Sequence, residues 1–195
     1  MTLSLRQAGR KLSKMVIPNI SLFIAWGILT TLFHENGWFP NERISVLIEP
    51  MIFYAIPMMI AFTGGSMFHE KKGGIVAVVA LMGLIASNDV PMFLGAMVIG
   101  PFSGYCVKKF ETLQVKGIPT GFEMLFTNFS TGILAAVLAV FSLYLVSPVI
   151  LFINELLADS VSLIVDQGYI FLTAMFIEPA KILFLNNAIN HGVLG

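Results

Sequence analysis

Long apolar runs separated by short clusters of charge organise this chain. Residues 15–33 carry no charged side chain, and at 1.5 Å per residue a helix of that length reaches roughly 28 Å, one hydrocarbon thickness. Pro18 falls in its first turn, where a missing N–H does little harm. The stretch H-E-N-G-W-F-P-N-E-R over residues 34–43 is a loop of turn formers with an interfacial Trp38. A second run, residues 44–68, is kinked by Pro50 and Pro57, and H-E-K-K at 69–72 makes a charged turn. Residues 73–107 are charge-free except for Asp89 and too long for one helix, so Asn88, Asp89 and Pro91 divide them into 73–87 and 90–107. The first of these has only fifteen residues, marginal for a full crossing.

A basic loop follows at 108–116, then a further span over about 121–146 that ends at Ser147-Pro148. Residues 148–168 contain Glu155, Asp159 and Asp166 and no base. Their Leu156, Leu157, Val161 and Ile164 recur at spacings that suit an amphipathic helix along an interface. The expected fold is all-α: a polytopic membrane protein with about five transmembrane helices, an interfacial helix, and the start of a re-entrant hairpin. The expected division is a membrane-spanning region over residues 1–147, an interfacial helix over 148–168, and a further part beginning at 169–195.

Composition agrees with this pattern. Of 195 residues 57% are hydrophobic and only 11% charged, with mean hydropathy +0.88, where a soluble domain carries about a quarter charged residues. The net charge is zero, which excludes the usual nucleic-acid footprint. Cys106 is the single cysteine, so it forms neither an internal disulfide nor a thiolate metal cluster, and it reads as a packed thiol. Arg6, Arg10, Lys11 and Lys14 precede the first apolar run, which is too long for a signal-peptide core and lacks a small-residue cleavage site. We read residues 1–14 as a basic amphipathic helix at the membrane surface before an uncleaved span.

Nine of the eleven bases fall in the amino terminus, the H-E-K-K turn or the 108–116 loop. The positive-inside rule then places the amino terminus in the cytoplasm, with five crossings before an acidic outer segment. The split at Asp89 is needed, because a single crossing over 73–107 would put Lys108, Lys109 and Lys116 outside.

Candidate chemistry concentrates in E-P-A-K-I-L-F-L-N-N-A-I-N-H-G-V-L-G, residues 178–195. Ionisable groups at membrane depth are expensive, and their default reading is a solute path lined by protein. Glu178 and Lys181, three apart, are either an intrahelical ion pair or a hydrogen-bond acceptor for hydroxyls beside a fixed cation. Asn186, Asn187, Asn190 and His191 add amide and imidazole groups that serve as donor and acceptor, an inventory suited to a polyol. The plainer reading of the asparagines is interhelical hydrogen bonding. His34 and His69 read as solvated, and with no H-E-x-x-H pattern no metal is expected; no P-loop, G-x-S-x-G or dinucleotide fingerprint occurs, so no cofactor is expected either. Asn88 and Asp89 read as turn residues, Glu123 as favoured by a helix amino terminus, and Gly100-x-x-x-Gly104 as a close helix contact.

Several longer stretches carry a resemblance. They are M-V-I-P-N-I-S-L-F-I-A-W-G-I-L-T-T-L-F (15–33), G-W-F-P-N (37–41), P-M-F-L-G-A-M-V-I-G-P (91–101), G-F-E-M-L-F-T-N-F-S (121–130) and E-P-A-K-I-L-F-L-N-N-A-I-N-H-G (178–192). On these the chain resembles, from end to end, the membrane-embedded IIC component of the bacterial mannitol-specific phosphotransferase system. The resemblance implies a permease of the bacterial inner membrane that takes up mannitol or a related hexitol and has it phosphorylated on the way in. It implies IIB and IIA domains as partners, a phosphocysteine and a phosphohistidine as donors, a homodimer in membrane lipid, and Glu178, Asn186, Asn187, Asn190 and His191 on the sugar side.

The chain departs from the family pattern at His69-Glu70, where a glycine-rich turn is expected, and at Phe102-Ser103. The family's IIC part also continues well beyond this length, with a second acidic sugar-binding motif, and the phosphorylated B and A domains are absent from these residues. The expectation is therefore a fragment, truncated or split and completed by another chain, that is inactive alone and holds no catalytic residue. The alternative is a non-transporting membrane scaffold or the relic of a truncated gene.

Overall fold

The computed structural model describes residues 5–114 and 123–166. All the regular structure among them is helical. In α1 (Leu5–Val16) Leu12 and Met15 lie on a different face from Arg10 and Lys14, a segregation of faces set by the 3.6-residue period. Met15 is fully buried against the bundle. A 3₁₀ turn (Ile17–Asn19) with Pro18 leads into α2 (Ile20–Phe33). Among the described residues three helical stretches are long and apolar enough to cross a membrane: Gly9–Phe33, Glu42–Ile85 and Met124–Leu156.

After the loop, Asn41 caps α3 (Glu42–Ser45), its Oδ1 accepting from Arg43 N at 3.1 Å and Ile44 N at 3.3 Å. Then come α4 (Ile48–Pro50), a π turn (Met51–Ala55) and α5 (Ile56–Ile85). The helix of α5 breaks at His69 (φ −155°, ψ 63°) and Glu70 (φ 36°, ψ −144°). Residues 56–68 and 71–85 thus fold back on each other as the H-E-K-K pattern requires. Glycines on both sides of the break allow backbones to touch: a Cβ on Gly65 would collide with the Gly73 carbonyl oxygen.

The next arm, α6 (Phe93–Gln114), packs along this hairpin. A Cβ on Gly104 would collide with the Gly65 carbonyl, and one on Gly100 would lie 2.8 Å from the Ala61 carbonyl. Gly100 and Gly104 are therefore spent inside the chain, and the close contact expected of this motif is intramolecular. It is not available as the contact of a homodimer. The next arm, α7 (Glu123–Phe141), packs on residues 71–85, where a Cβ on Gly83 would collide with the Ala139 carbonyl. It passes through a π turn (Ser142–Val146) into α8 (Ser147–Asp166).

Contacts fix the direction of each arm. Asn19 bonds Met59 and Thr63 while Trp26 and Thr30 lie near Ile48 and Glu49, so the first span runs opposite to residues 56–68. Gly100 on Ala61 and Gly104 on Gly65 make α6 parallel to residues 56–68, whereas Gly95 on Leu84 makes it antiparallel to residues 71–85. Gly83 on Ala139 and Ser87 on Ser147 make the last arm parallel to residues 71–85. Five arms alternate, and the split at Asp89 holds. The core lies between hairpin and α6, with Ile56, Ile60, Leu81, Leu84, Ile99 and Val107 fully buried. Ile20, Ile24, Phe129, Ile133 and Val137 remain exposed, an outer apolar surface suited to lipid.

The helix does not stop at Ser147-Pro148, where the sequence placed the end of a span. Proline in a helix removes one N–H and clashes with the carbonyl four residues back. Here a π turn immediately precedes it, with Ser147 N–H bonding Ser142 O, and the wider turn gives the ring room. The same arrangement recurs at Pro57, where Ile56 N–H bonds Met51 O. Both prolines reshape a helix without ending it.

Candidate functional site

The H-E-K-K turn, the start of the first span and the far end of α6 share one end of the bundle, which is basic. The opposite end carries Glu35, Glu42, Glu49 and Asp89 with Arg43 as its base among the described residues. At this acidic end an open cavity of about 720 Å³ lies between α2, the α3–π-turn segment and the turn at residues 86–92. Thr30, His34, Glu35, Glu49 and Asp89 contribute polar groups to its wall, with Trp26, Ile48, Ile52 and Phe53 as apolar lining. Each position follows from local structure. Trp26 and Thr30 are one turn apart on α2, and Thr30 Oγ1 donates to Trp26 O at 2.8 Å. Glu49 and Phe53 are brought to the wall by α4 and the π turn after Pro50.

Two polar atoms here are buried without a partner, Trp26 Nε1 and Asn88 Oδ1. Such atoms cost free energy unless a solute or water completes them. Asn88 Nδ2 donates to Leu84 O at 2.6 Å, Ser87 Oγ at 2.9 Å and Ser147 Oγ at 2.8 Å, tying the turn to α8. A smaller adjoining cavity of about 400 Å³ shares Glu49, Phe53 and Asp89 and adds Tyr54 and Asn88. Carboxylate acceptors and aromatic faces are a set that can hold a polyhydroxylated, uncharged solute. Among the described residues no cluster of three or more metal-ligating side chains occurs.

At the basic end, Glu111 joins the hairpin tip to α6. Its Oε2 lies 2.7 Å from His69 Nε2, and its Oε1 accepts from Lys72 Nζ at 2.8 Å. Partial burial pushes the Glu111 carboxyl up, but the Lys72 hydrogen bond and the charges of His69 and Lys72 outweigh it, so the net shift is downward. His69 is therefore not the freely solvated residue the sequence implied. Between the ends, buried Asn19 donates from Nδ2 to Met15 O at 2.8 Å, Met59 O at 3.2 Å and Thr63 Oγ1 at 2.9 Å.

Glu178, Asn186, Asn187, Asn190 and His191, with Lys181, lie outside the described residues. Asp89 sits in its expected turn and also on the cavity wall. Sequence reasoning passed over Trp26 and Glu49. The signal for Trp26 was an indole N–H inside a charge-free run; for Glu49 it was a carboxylate beside a helix-distorting proline.

These features define a polytopic α-helical membrane protein with a solute-sized cavity open at one end. The chain belongs to the family described as "Phosphotransferase system, EIIC", whose profile matches residues 13–194. It is 48% identical over 194 residues to the "PTS system mannitol-specific EIICB component" of Bacillus subtilis (strain 168), covering 100% of this chain and 41% of that protein. It is 49% identical over 191 residues to the component of the same name from Geobacillus stearothermophilus, 97% of this chain and 40% of that one. With the "PTS system mannitol-specific EIICBA component" of Escherichia coli (strain K12) it shares 47% over 185 residues, 95% and 29% respectively. The chain thus spans between about three and four tenths of the length of these relatives. No solved structure matches.

Proposed function

We propose that these residues form the amino-terminal part of a mannitol, or closely related hexitol, permease whose substrate is phosphorylated during uptake. Near-half identity to mannitol-specific components along the whole chain carries this reading. A cavity lined by hydroxyl-binding groups supports it. In this reading residues 1–147 are the scaffold, 148–168 lie along the outer interface, and 169–195 open the transport part. Glu178, Asn186, Asn187, Asn190 and His191 contact the hexitol, and IIB and IIA domains supply the phosphoryl group. The protein sits in the inner membrane as a homodimer, with the basic end and the amino terminus in the cytoplasm, as the asymmetry of bases favours.

A chimera tests this: residues 1–195 replace the matching region of the Bacillus subtilis relative, in cells lacking their own mannitol permease. Restored, phosphorylation-dependent uptake of labelled mannitol is the expected result. A stable, membrane-inserted chimera that takes up none would favour the non-transporting scaffold. Within an active chimera, Glu178→Ala removes a charge-assisted hydrogen bond, about 1.5–3 kcal/mol or roughly ten- to a hundredfold in affinity. Unchanged mannitol affinity would leave Glu178 as the partner of Lys181 alone.

A further inference from the structure

We propose that the basic end of the bundle is a binding surface for anionic phospholipid headgroups. Three separate elements deliver it: α1 with Arg10, Lys11 and Lys14, the hairpin tip with Lys71, and the end of α6 with Lys108 and Lys109. All six side chains are exposed, and none makes an ion pair with an acid among the described residues. Lys72, which Glu111 neutralises, shows the contrast. The contacts of Met15 with Gly64, Gly65 with both Gly73 and Gly104, and Glu111 with His69 hold the three elements at one level.

The position of the cations selects the partner. Lys14 is three residues from exposed Ile17, Lys71 four from exposed Ile75, and Lys109 four from exposed Tyr105. Helical neighbours at these spacings share a face. Lys14, Lys71 and Lys109 therefore stand one turn beyond an outward-facing apolar side chain, at the depth where lipid phosphates meet the hydrocarbon boundary. Lysine side chains at such positions extend toward the headgroups. A soluble acidic domain would instead need charge gathered on the end cap of the bundle. The surface is defined by the fold, whichever leaflet it meets and whatever solute the protein carries.

The test uses the purified chain in phosphatidylcholine bilayers containing a trace of spin-labelled phosphatidylglycerol or, in parallel, spin-labelled phosphatidylcholine. The fraction of label immobilised by protein is read by electron paramagnetic resonance. Phosphatidylglycerol should be favoured about fivefold at low salt, the attraction of roughly one cation per lipid. The preference should fall toward unity near 1 M salt, where the screening length is about 3 Å. Lys71→Gln/Lys108→Gln/Lys109→Gln should remove most of it with helix content unchanged, while Arg43→Gln at the opposite end should not. Equal immobilisation of both lipids by the wild-type chain would overturn the proposal without reference to any variant. So would a preference that the triple substitution leaves intact. If the lipids are not distinguished but a phosphorylated soluble domain of the relatives binds the chain in phosphatidylcholine discs, the surface is a protein dock and the lipid reading fails.

Discussion

Replacing Asn19 by leucine tests how the first span is held. Asn19 is 6% exposed, and its amide reaches Met59 O and Thr63 Oγ1 on the hairpin at 3.2 and 2.9 Å. Leucine of similar bulk removes both interhelical bonds and leaves no large cavity. Nor does it strand a buried group, because Thr63 Oγ1 still donates to Met59 O at 2.8 Å. In a membrane interior an interhelical hydrogen bond averages about 0.6 kcal/mol, so the expected cost of Asn19→Leu is about 1 kcal/mol. Asn19→Ala should cost more, because the removed atoms leave a void beside Met15 and Met59. Reversible unfolding in mixed micelles, followed by helix circular dichroism and by tryptophan emission, measures both. Combining Asn19→Leu with Thr63→Val isolates the pair, with an expected coupling of about 0.6 kcal/mol. Zero coupling with each single loss above about 2 kcal/mol would show that both residues act by packing, and the hydrogen-bond argument would fall.

Two further substitutions probe the basic end. Gly104→Ala drives a methyl into the Gly65 carbonyl, so the helices must separate; about 1–3 kcal/mol should be lost in the same unfolding assay, while Gly132→Ala, with open space around it, should change little. Glu111→Gln should remove a pH-dependent contribution: the folded-state carboxyl lies below its ordinary value of 4.5, so its stabilisation is present above that value and lost as pH falls through the lower one. The pair is partly exposed, so the loss near neutral pH should stay below about 1 kcal/mol, and pH titration of wild type and variant should converge in acid.

Much of the fold was legible because lipid leaves few choices. Apolar runs of about twenty residues had to be helices, charges had to mark turns, and the bases chose the split at Asp89 over a single crossing. What escaped depends on partners distant in sequence. His69 looked solvated because Glu111, forty-two positions on, supplies its contact only after the hairpin and α6 are packed. Gly100 and Gly104 announced a close contact but not with whom; Ala61 and Gly65 answer it within the chain. Pro148 read as a stop because the sequence does not display a π turn, which depends on the ladder shifting by one residue. For the site, Asp89 was placed in its turn, but its neighbours Trp26 and Glu49 come from two other segments, and no local pattern joins the three.

The two ends of the bundle differ in the charge they present, and that difference bears on where a solute can bind. At the basic end, glycine contacts bring backbones together and Glu111 is already shared between two partners. Ser66 Oγ beside the hairpin tip is nevertheless buried without a partner, and a cavity of about 750 Å³ there is lined by Ser66, His69, Glu70, Lys71, Lys72 and Glu111. At the acidic end the indole N–H of Trp26 and the Asn88 carbonyl have no internal partner, and neither Glu49 nor Asp89 has an ion-pairing base among the described residues. The indole N–H and the amide oxygen are both closed off from the cavity surface, so the groups a hydroxyl-rich solute meets there are the carboxylates of Glu49 and Asp89. The π turns before Pro57 and Pro148 place the helices around this end.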